Sequence, residues 1–224
     1  MALGSVLAGG PDRAGPLHTA APTALSPPEI VLVRHGETEW SRDGRHTGRT
    51  DIPLTQTGKE QAKAIGPVLK HWHFSLVLTS PLKRAEETCR LAGFGSSATI
   101  DPDLSEWDYG RYEGITSAQI HDREPGWSLW RDGCPAGEQP EEVGRRADGV
   151  VTRLAAASAN CLIFSHGHFL RVLTARWLGL PAAAGRYFAL ATASISVLGY
   201  EHEDRVMREW NIGSDIGRLY GRDS

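Results

Sequence analysis

Residues 30–33 form an uninterrupted apolar run, Ile-Val-Leu-Val, which limits the possible folds more than any other stretch of the chain. A strand with one face in water alternates apolar and polar residues, whereas a continuous run predicts a strand covered on both faces in a mostly parallel sheet. Arg34, His35 and Gly36 follow directly. Because strand ends in such folds face the ligand-binding crevice, this basic pair indicates an anion site, although a histidine taken alone is more often structural.

The same order of strand and then helix recurs along the chain. Thr55 is suited to cap a helix that begins in TQTGKEQ and ends near His71. Residues 101–138 are predicted to be irregular. Further strands are predicted at residues 76–79 and 161–164, and further helices at residues 82–92, 139–157 and 169–178.

Two more strands, at residues 195–200 and 205–210, are predicted to close the sheet as an antiparallel pair. The complete pattern predicts an α/β fold: a single three-layer α/β/α domain whose mostly parallel mixed sheet has an antiparallel edge strand. We place this domain at residues 29–212, between a flexible N-terminal tail at residues 1–28 and a C-terminal tail at residues 213–224.

Charge and apolar content exclude two classes of partner. With 224 residues and a net charge of -3, the chain lacks the basic surface that binds nucleic acid or an anionic membrane. No apolar run approaches the roughly 20 residues that span a bilayer. Cys89, Cys134 and Cys161 have no CxxC spacing, so they indicate neither disulfides nor structural zinc and favour a reducing, cytoplasmic location.

Three predicted strands end in groups that suit phosphate. Arg34 and His35 follow the first strand, Ser80 and then Arg84 follow the second, and His166 follows the third. The carboxyl ends of parallel strands share one edge of a sheet, so His35, Arg84 and His166 are expected to converge. Guanidinium groups can hold phosphate oxygens bidentately, and a neutral imidazole beside them can attack phosphorus to form phosphohistidine.

Five spaced segments resemble a known family. In order they are RHGETEW, GRTDIPLTQTGKEQA, SPLKRAEET, SEWDYGRYEG and FSHGHFLR, spread over roughly residues 29–210. Together they resemble the histidine phosphatase superfamily, also called the phosphoglycerate mutase-like family. The resemblance implies a phosphoglycerate mutase-like fold and catalysis through a phosphorylated histidine.

The resemblance also implies roles for particular residues. His35 is the implied nucleophile, and Arg34, Arg84 and His166 are implied to form the phosphate pocket. Glu106 falls at the position of the family's proton donor. A carboxylic acid suits that position because it can protonate the leaving alkoxide and later deprotonate water.

Two further segments match phosphate-lining positions of the family. Thr47 and Gly48 match a loop that lines the phosphate through a hydroxyl or a backbone N–H. Ser41 stands where many members have Asn, and its hydroxyl donates one hydrogen bond over a shorter reach than an amide.

The segment EWDYGRYEG distinguishes branches of the family. Cofactor-dependent phosphoglycerate mutases carry ERHYGALQG-like residues there and a longer central insertion. This chain instead resembles the branch with yeast-type sedoheptulose bisphosphatase and mycobacterial acid phosphatases. The predicted activity is hydrolysis of a small phosphorylated metabolite, such as a sugar phosphate or bisphosphate, and a mutase is the alternative.

Residues 127–138 are expected to cover the mouth of the pocket. Trp127 and Trp130 lie three residues apart, a spacing that fits a helix face in the core as well as a substrate wall. Arg131 can contact a second phosphate or pair with a surface acid, which is the commoner case.

Two alternatives of another kind stay open. His166 and His168 form an H-x-H pair that can ligate a metal, but no carboxylate or cysteine cluster completes the set, and His168 is expected to point away from the pocket. We therefore predict neither a metal nor a cofactor. A silent phosphate-binding module is the non-enzymatic alternative, and a homodimer is left open.

The remaining histidines are expected at the surface: His46, His71, His73 and His202.

Overall fold

The computed structural model describes Met1 and residues 27–213. The predicted tails fall almost entirely on residues 2–26 and 214–224, outside the described residues. The elements are β1 (Ile30–Arg34), α1 (Glu39–Arg42), α2 (Gln56–Leu69), β2 (Leu76–Thr79), α3 (Lys83–Leu91), β3 (Ala98–Ile100), α4 (Ser117–His121), α5 (Leu129–Asp132), α6 (Pro140–Ala155), β4 (Cys161–Ser165), α7 (Gly167–Trp177), β5 (Ile195–Glu201) and β6 (Asp204–Ile212). Short 3-10 helices lie at Pro102–Leu104, Gly110–Tyr112 and Ala182–Tyr187.

The strands form a six-stranded mixed sheet in the order β3-β2-β4-β1-β5-β6. Strands β3, β2, β4 and β1 are parallel to one another, whereas β5 pairs with both β1 and β6 in antiparallel fashion. The predicted α/β class with a mostly parallel sheet is thereby confirmed. The reversed strand, β5, lies second from the edge, and β6 closes the sheet.

Strand β1 shows why its sequence is apolar throughout. Ile30 and Leu32 join a core cluster that includes residues of α4 to α7, and Val31 and Val33 join a second cluster with α2 and α3. All four side chains are buried, with at most 1% exposed. Helices therefore cover both faces of the sheet, which is the three-layer arrangement expected from the run.

Three features of the fold differ from the sequence prediction. Strand β3 and helix α1 have three and four residues, too few for periodicity to reveal them. The section predicted to be irregular holds the short helices α4 and α5. Helix α7 begins at Gly167, two residues before the predicted start, because His166 is its extended N-cap. This earlier start places His168 in the first turn.

A close contact between backbones positions the loop after β1. A Cβ at Gly36 would lie 2.4 Å from the carbonyl oxygen of Gly58 in α2, so no side chain fits there without movement. We expect Gly36→Ala to lower the free energy of unfolding by about 1–3 kcal/mol, measured by urea denaturation. Gly149 in α6 has open space around it, so Gly149→Ala is the matched control and should leave stability equal or higher. Equal stability of the two variants would contradict this account of Gly36.

Candidate active site

The carboxyl end of β1 and the first turn of α7 border a cavity of about 190 Å³. A larger open cleft, about 820 Å³, lies along α3 and β3 but is lined by none of the predicted catalytic residues. We identify the smaller cavity as the candidate site on chemical grounds. Its wall consists of Arg34, His35, Ser41, Gly44, Arg45, His46, Thr47, Glu106, Tyr109, Ser117, Gly167, His168, Arg171 and Leu190.

His35 directly follows β1 and is buried, with 4% of its surface exposed. Its Nδ1 lies 2.7 Å from the carbonyl oxygen of Gly36, which can only accept, so Nδ1 carries the proton and Nε2 keeps its lone pair. Burial, followed by the charges of Arg84 and Arg34, holds the pKa of His35 well below its ordinary value. The ring is therefore neutral near pH 7 and able to act as a nucleophile.

His166 and Arg84 are fully buried beside His35, and the two imidazole centroids are 5.2 Å apart. Arg84 Nε donates to His166 Nδ1 at 3.1 Å, so the His166 proton is on Nε2, 2.7 Å from the hydroxyl of Ser80. Burial and the Arg84 charge lower the pKa of His166 well below its ordinary value. The predicted convergence of His35, Arg84 and His166 is thus present.

Arg84 does not line the cavity as a free phosphate clamp. Its terminal nitrogens donate to the carbonyl oxygens of Thr47, Gly48 and Thr50 at 2.9, 2.9 and 3.1 Å. In this structure Arg84 therefore contributes positive charge behind His35 and His166 and holds the neighbouring loop. The bidentate grip expected from the sequence is not the arrangement found.

Arg34 has a guanidinium group that is available to an anion. It lines the cavity at the end of β1, and one terminal nitrogen donates to the carbonyl of Leu190. Its Nε is buried and has no hydrogen-bond partner among the described residues. A Cβ at Gly167 would lie 3.2 Å from this nitrogen, so the glycine of the HGH segment leaves space for the guanidinium. A buried donor without a partner is costly unless a ligand supplies the acceptor.

Glu106 is fixed at the N-terminus of α7 and is 8% exposed. Its Oε1 accepts hydrogen bonds from the backbone N–H of Trp107 and Phe169, both at 2.9 Å. Its Oε2 accepts from the N–H of His168 at 3.1 Å, so it has one donor where Oε1 has two. The carboxyl group is thus held in the cavity wall with Oε2 as the less occupied oxygen.

The other predicted phosphate contacts divide into two groups. Ser41 and Thr47 line the cavity, but the Ser41 hydroxyl donates to Thr38 and the Thr47 hydroxyl donates to the carbonyl of Arg45. Gly48 lies outside the cavity wall, and its N–H donates to Glu113 Oε1 at 2.8 Å. The Gly48 N–H is therefore occupied by a carboxylate of the protein itself.

The predicted substrate mouth is wrong in its placement. Trp127 is a buried core residue whose indole N–H donates to the carbonyl of Gly133. Trp130 lies behind the wall, edge-to-face with Trp107 and under the guanidinium of Arg171. Arg131 is exposed and pairs with Asp132 at 2.7 Å. None of Trp127, Trp130 and Arg131 lines the cavity, because Trp127 belongs to the core cluster and Trp130 in α5 packs against that cluster.

Two histidine predictions are also corrected. His46 was expected at the surface but is 7% exposed and lines the cavity, because its Nδ1 bonds to the carbonyl of Ile115. His168 was expected to point away, but it lines the cavity because α7 starts at Gly167. Sequence reasoning missed Tyr109 and Arg171 in the same wall. Tyr109 lies in EWDYG and Arg171 in HGHFLR, so both were inside quoted motifs.

The buried imidazoles make stability depend on pH. The pKa values of His35, His166 and His168 are held well below 6.5, chiefly by burial. The unfolded chain then binds more protons than the folded chain below about pH 6.5, so stability must fall as the pH falls. We expect the midpoint of thermal unfolding to decrease between about pH 7 and pH 5, and less steeply in His168→Gln. His73→Ala, which replaces an exposed histidine, is the control. Identical slopes of the unfolding midpoint against pH in all three proteins would refute this assignment.

The described part of the chain offers neither a metal centre nor a membrane-spanning helix. Residues 27–213 contain no grouping of three or more His, Cys, Asp or Glu side chains that could hold a metal ion. Within the same residues, no helix has the length and apolar character needed to cross a membrane.

Comparison with known proteins identifies the family. Residues 30–213 match the histidine phosphatase superfamily (branch 1). The chain belongs to this family. It is 45% identical over 177 residues to an acid phosphatase of Mycobacterium tuberculosis, which covers 77% of this chain and 87% of that protein.

A second relative and a solved structure agree with this membership. A sedoheptulose 1,7-bisphosphatase of Saccharomyces cerevisiae is 35% identical over 185 residues, covering 68% of each chain. The structure of an open reading frame product from Mycobacterium tuberculosis has a TM-score of 0.80 and 43% identity, covering 84% of this chain and 98% of that chain. Family membership and these phosphatase relatives support an enzyme that hydrolyses phosphate esters.

Proposed function

We propose that this histidine phosphatase hydrolyses phosphate monoesters of small metabolites by two phosphoryl transfers through His35. One observation carries the proposal: Arg34, whose buried Nε has no partner among the described residues, and His35, whose Nε2 is free, line the same cavity. An anion that satisfies Arg34 is thereby placed beside a neutral nucleophile. With Arg45 and Arg171 in the wall and Arg84 behind it, positive charge exceeds the single carboxylate, Glu106.

In the first transfer, the lone pair of His35 Nε2 forms a bond to phosphorus as the bond from phosphorus to the ester oxygen breaks. The electron pair of that bond leaves with the oxygen, which takes a proton from Glu106 and departs as an alcohol. Oε2 suits this transfer because only one N–H occupies it. The Nδ1 hydrogen bond to Gly36 stabilises the positive charge that develops on the ring.

In the second transfer, Glu106 acts in the opposite sense. Its carboxylate takes a proton from a water molecule whose oxygen bonds to phosphorus, and the bond between phosphorus and His35 breaks and returns its electron pair to Nε2. Inorganic phosphate and the starting enzyme result. Arg34 balances the phosphoryl charge in both steps, so the residues of this chain account for each proton and electron pair.

The primary experiment is hydrolysis of p-nitrophenyl phosphate in the presence of EDTA. Turnover that EDTA does not change is expected, because guanidinium groups supply the charge that phosphoryl transfer needs. Turnover abolished by the chelator would favour the metal-dependent alternative. A protein that binds phosphate without turnover at any pH would be the silent phosphate-binding module.

A second assay separates the phosphatase from the mutase alternative. 3-Phosphoglycerate is supplied with 2,3-bisphosphoglycerate, and both isomerisation and phosphate release are followed. Phosphate release should dominate, whereas efficient isomerisation would assign the chain to the mutases.

The remaining features of the proposal concern partners and location. We propose a small phosphorylated metabolite as the substrate. The described cysteines, Cys89, Cys134 and Cys161, are all free and buried, which supports a reducing, cytoplasmic location. The homodimer left open by the sequence stays a prediction for measurement of mass in solution.

A further inference from the structure

Part of the cavity wall has no role in the transfers just described. His46 and His168 both line the cavity, with their ring planes 8° from parallel and their centroids 6.2 Å apart. The two histidines are brought together from distant parts of the chain, one in the loop before α2 and the other in the first turn of α7. Glu106 joins this wall to the catalytic group, because it accepts the backbone N–H of His168.

The contacts of His168 determine which nitrogen carries its proton. The Tyr109 hydroxyl lies 2.6 Å from His168 Nδ1, and the described contacts give this buried phenol no other acceptor. Burial raises the pKa of Tyr109 well above its ordinary value, so the phenol stays protonated and donates to Nδ1. The proton of the neutral imidazole is therefore on Nε2, which has no hydrogen-bond partner among the described residues.

The contacts of His46 have the opposite result. Its Nδ1 lies 2.9 Å from the carbonyl oxygen of Ile115, which can only accept, so Nδ1 carries the proton. Burial lowers the pKa of His46, which keeps the ring neutral. Its Nε2 is thus an acceptor, and no described residue donates to it. The wall presents one neutral donor, on His168, and one neutral acceptor, on His46.

We propose that His168 and His46 recognise hydroxyl groups on the alcohol portion of the substrate, so that polyol and sugar phosphates are preferred over plain alkyl phosphates. A hydroxyl both accepts and donates, which matches a neutral donor and a neutral acceptor side by side. Tyr109 is a positioning residue, because it holds the donor tautomer of His168. Arg171 lines the same wall but has contacts of its own, because the carbonyls of Gly185 and Arg186 accept from its guanidinium, which also lies over the Trp130 ring. This inference rests on the proposed phosphatase function.

The test compares two substrates that differ only in hydroxyl groups, glycerol 3-phosphate and n-propyl phosphate. The wild-type protein should prefer glycerol 3-phosphate in kcat/KM by about tenfold, the usual effect of a hydrogen bond in a buried site. His168→Phe keeps an aromatic ring among Trp107, Tyr109 and Trp130 and should bring this ratio close to one. If His168→Phe lowers kcat/KM equally for both esters, the role of His168 is merely structural and the proposal is overturned. Equal kcat/KM values for the two esters in the wild-type protein would overturn it as well.

Two further variants separate recognition from folding. His168→Gln retains an N–H donor near the position of Nε2 and should recover much of the preference for glycerol 3-phosphate. Tyr109→Phe removes the hydroxyl that holds the tautomer and should lower the ratio a few-fold, mainly through KM. Nitrogen-15 spectra of the wild-type protein should show a protonated Nε2 and an unprotonated Nδ1 on His168. The reverse tautomer would overturn the proposal.

Failure of this inference can be told from failure of the proposed function. If the wild-type protein hydrolyses neither these esters nor p-nitrophenyl phosphate, the phosphatase function is wrong, and the same comparison is made with dissociation constants from calorimetry. A preference for glycerol 3-phosphate that is lost in His168→Phe then still supports the hydroxyl site. Equal dissociation constants in the wild-type protein overturn it.

Discussion

His35→Ala should lower kcat for p-nitrophenyl phosphate by about 10⁴–10⁶-fold, the range expected when a covalent nucleophile is removed. The free Nε2 of His35 is the atom that bonds to phosphorus in the proposed mechanism, and neither His166 nor His168 can replace it. His166 is fully buried and has both nitrogens bonded to Arg84 and Ser80, and His168 is held by Tyr109. KM should change far less than kcat, because Arg34 still binds the phosphate.

His73→Ala is the matched control for this measurement. His73 is an exposed histidine outside the cavity, so its loss should leave kcat unchanged. Rapid acid-free quenching should trap a phosphorylated, acid-labile form of the wild-type protein that is missing in His35→Ala. A cooperative thermal unfolding transition would establish that the His35→Ala protein is folded. Near wild-type hydrolysis by a folded His35→Ala protein would refute the phosphohistidine mechanism.

Glu106→Gln should lower kcat by about 10²–10⁴-fold, the usual contribution of a general acid and base. The amide oxygen of Gln can still accept the N–H groups of Trp107 and Phe169, so the position of the side chain is largely kept. The amide cannot supply a proton to the leaving oxygen. Alkyl phosphates should therefore lose more activity than p-nitrophenyl phosphate, whose leaving group is stable as an anion.

Asp108→Asn tests whether the neighbouring acid serves instead. Asp108 pairs with Arg49 at 2.7 Å and does not line the cavity, so its substitution should change kcat by no more than a few-fold. The loss in Glu106→Gln should also depend on the leaving group, and the loss in Asp108→Asn should not. A larger effect at Asp108 than at Glu106 would move the proton-donor assignment.

The core of the fold was readable from the sequence because its elements are long or uniformly apolar. The apolar run at residues 30–33 indicates a strand buried on both faces. The spacing of apolar residues along the rest of the chain indicates strands that alternate with helices, and hence a three-layer domain. Strand β3, helix α1 and the short helices of residues 101–138 were not predicted, because three to five residues show no period. Their positions depend on contacts with distant parts of the chain.

The candidate site was only partly predictable. Arg34, His35 and Glu106 follow from motifs and do line one cavity. The substrate mouth predicted at Trp127, Trp130 and Arg131 does not line the cavity. The sequence could not exclude this outcome, because a spacing of three residues fits a core face and a substrate wall equally well. His46 and His168 were missed as wall residues for a similar reason: the partners that orient them, Ile115 and Tyr109, are far away in sequence.

The sequence by itself determined the layer order and the family, along with the chemistry carried by His35, Arg34 and Glu106. Local pattern and residue type are sufficient for these because neighbouring residues define them. The tertiary structure decided which nitrogen of each histidine is free, which donor of Arg34 lacks a partner, and which Glu106 oxygen is less occupied. Hydrogen bonds between segments distant in sequence set these properties, and no local pattern encodes such bonds.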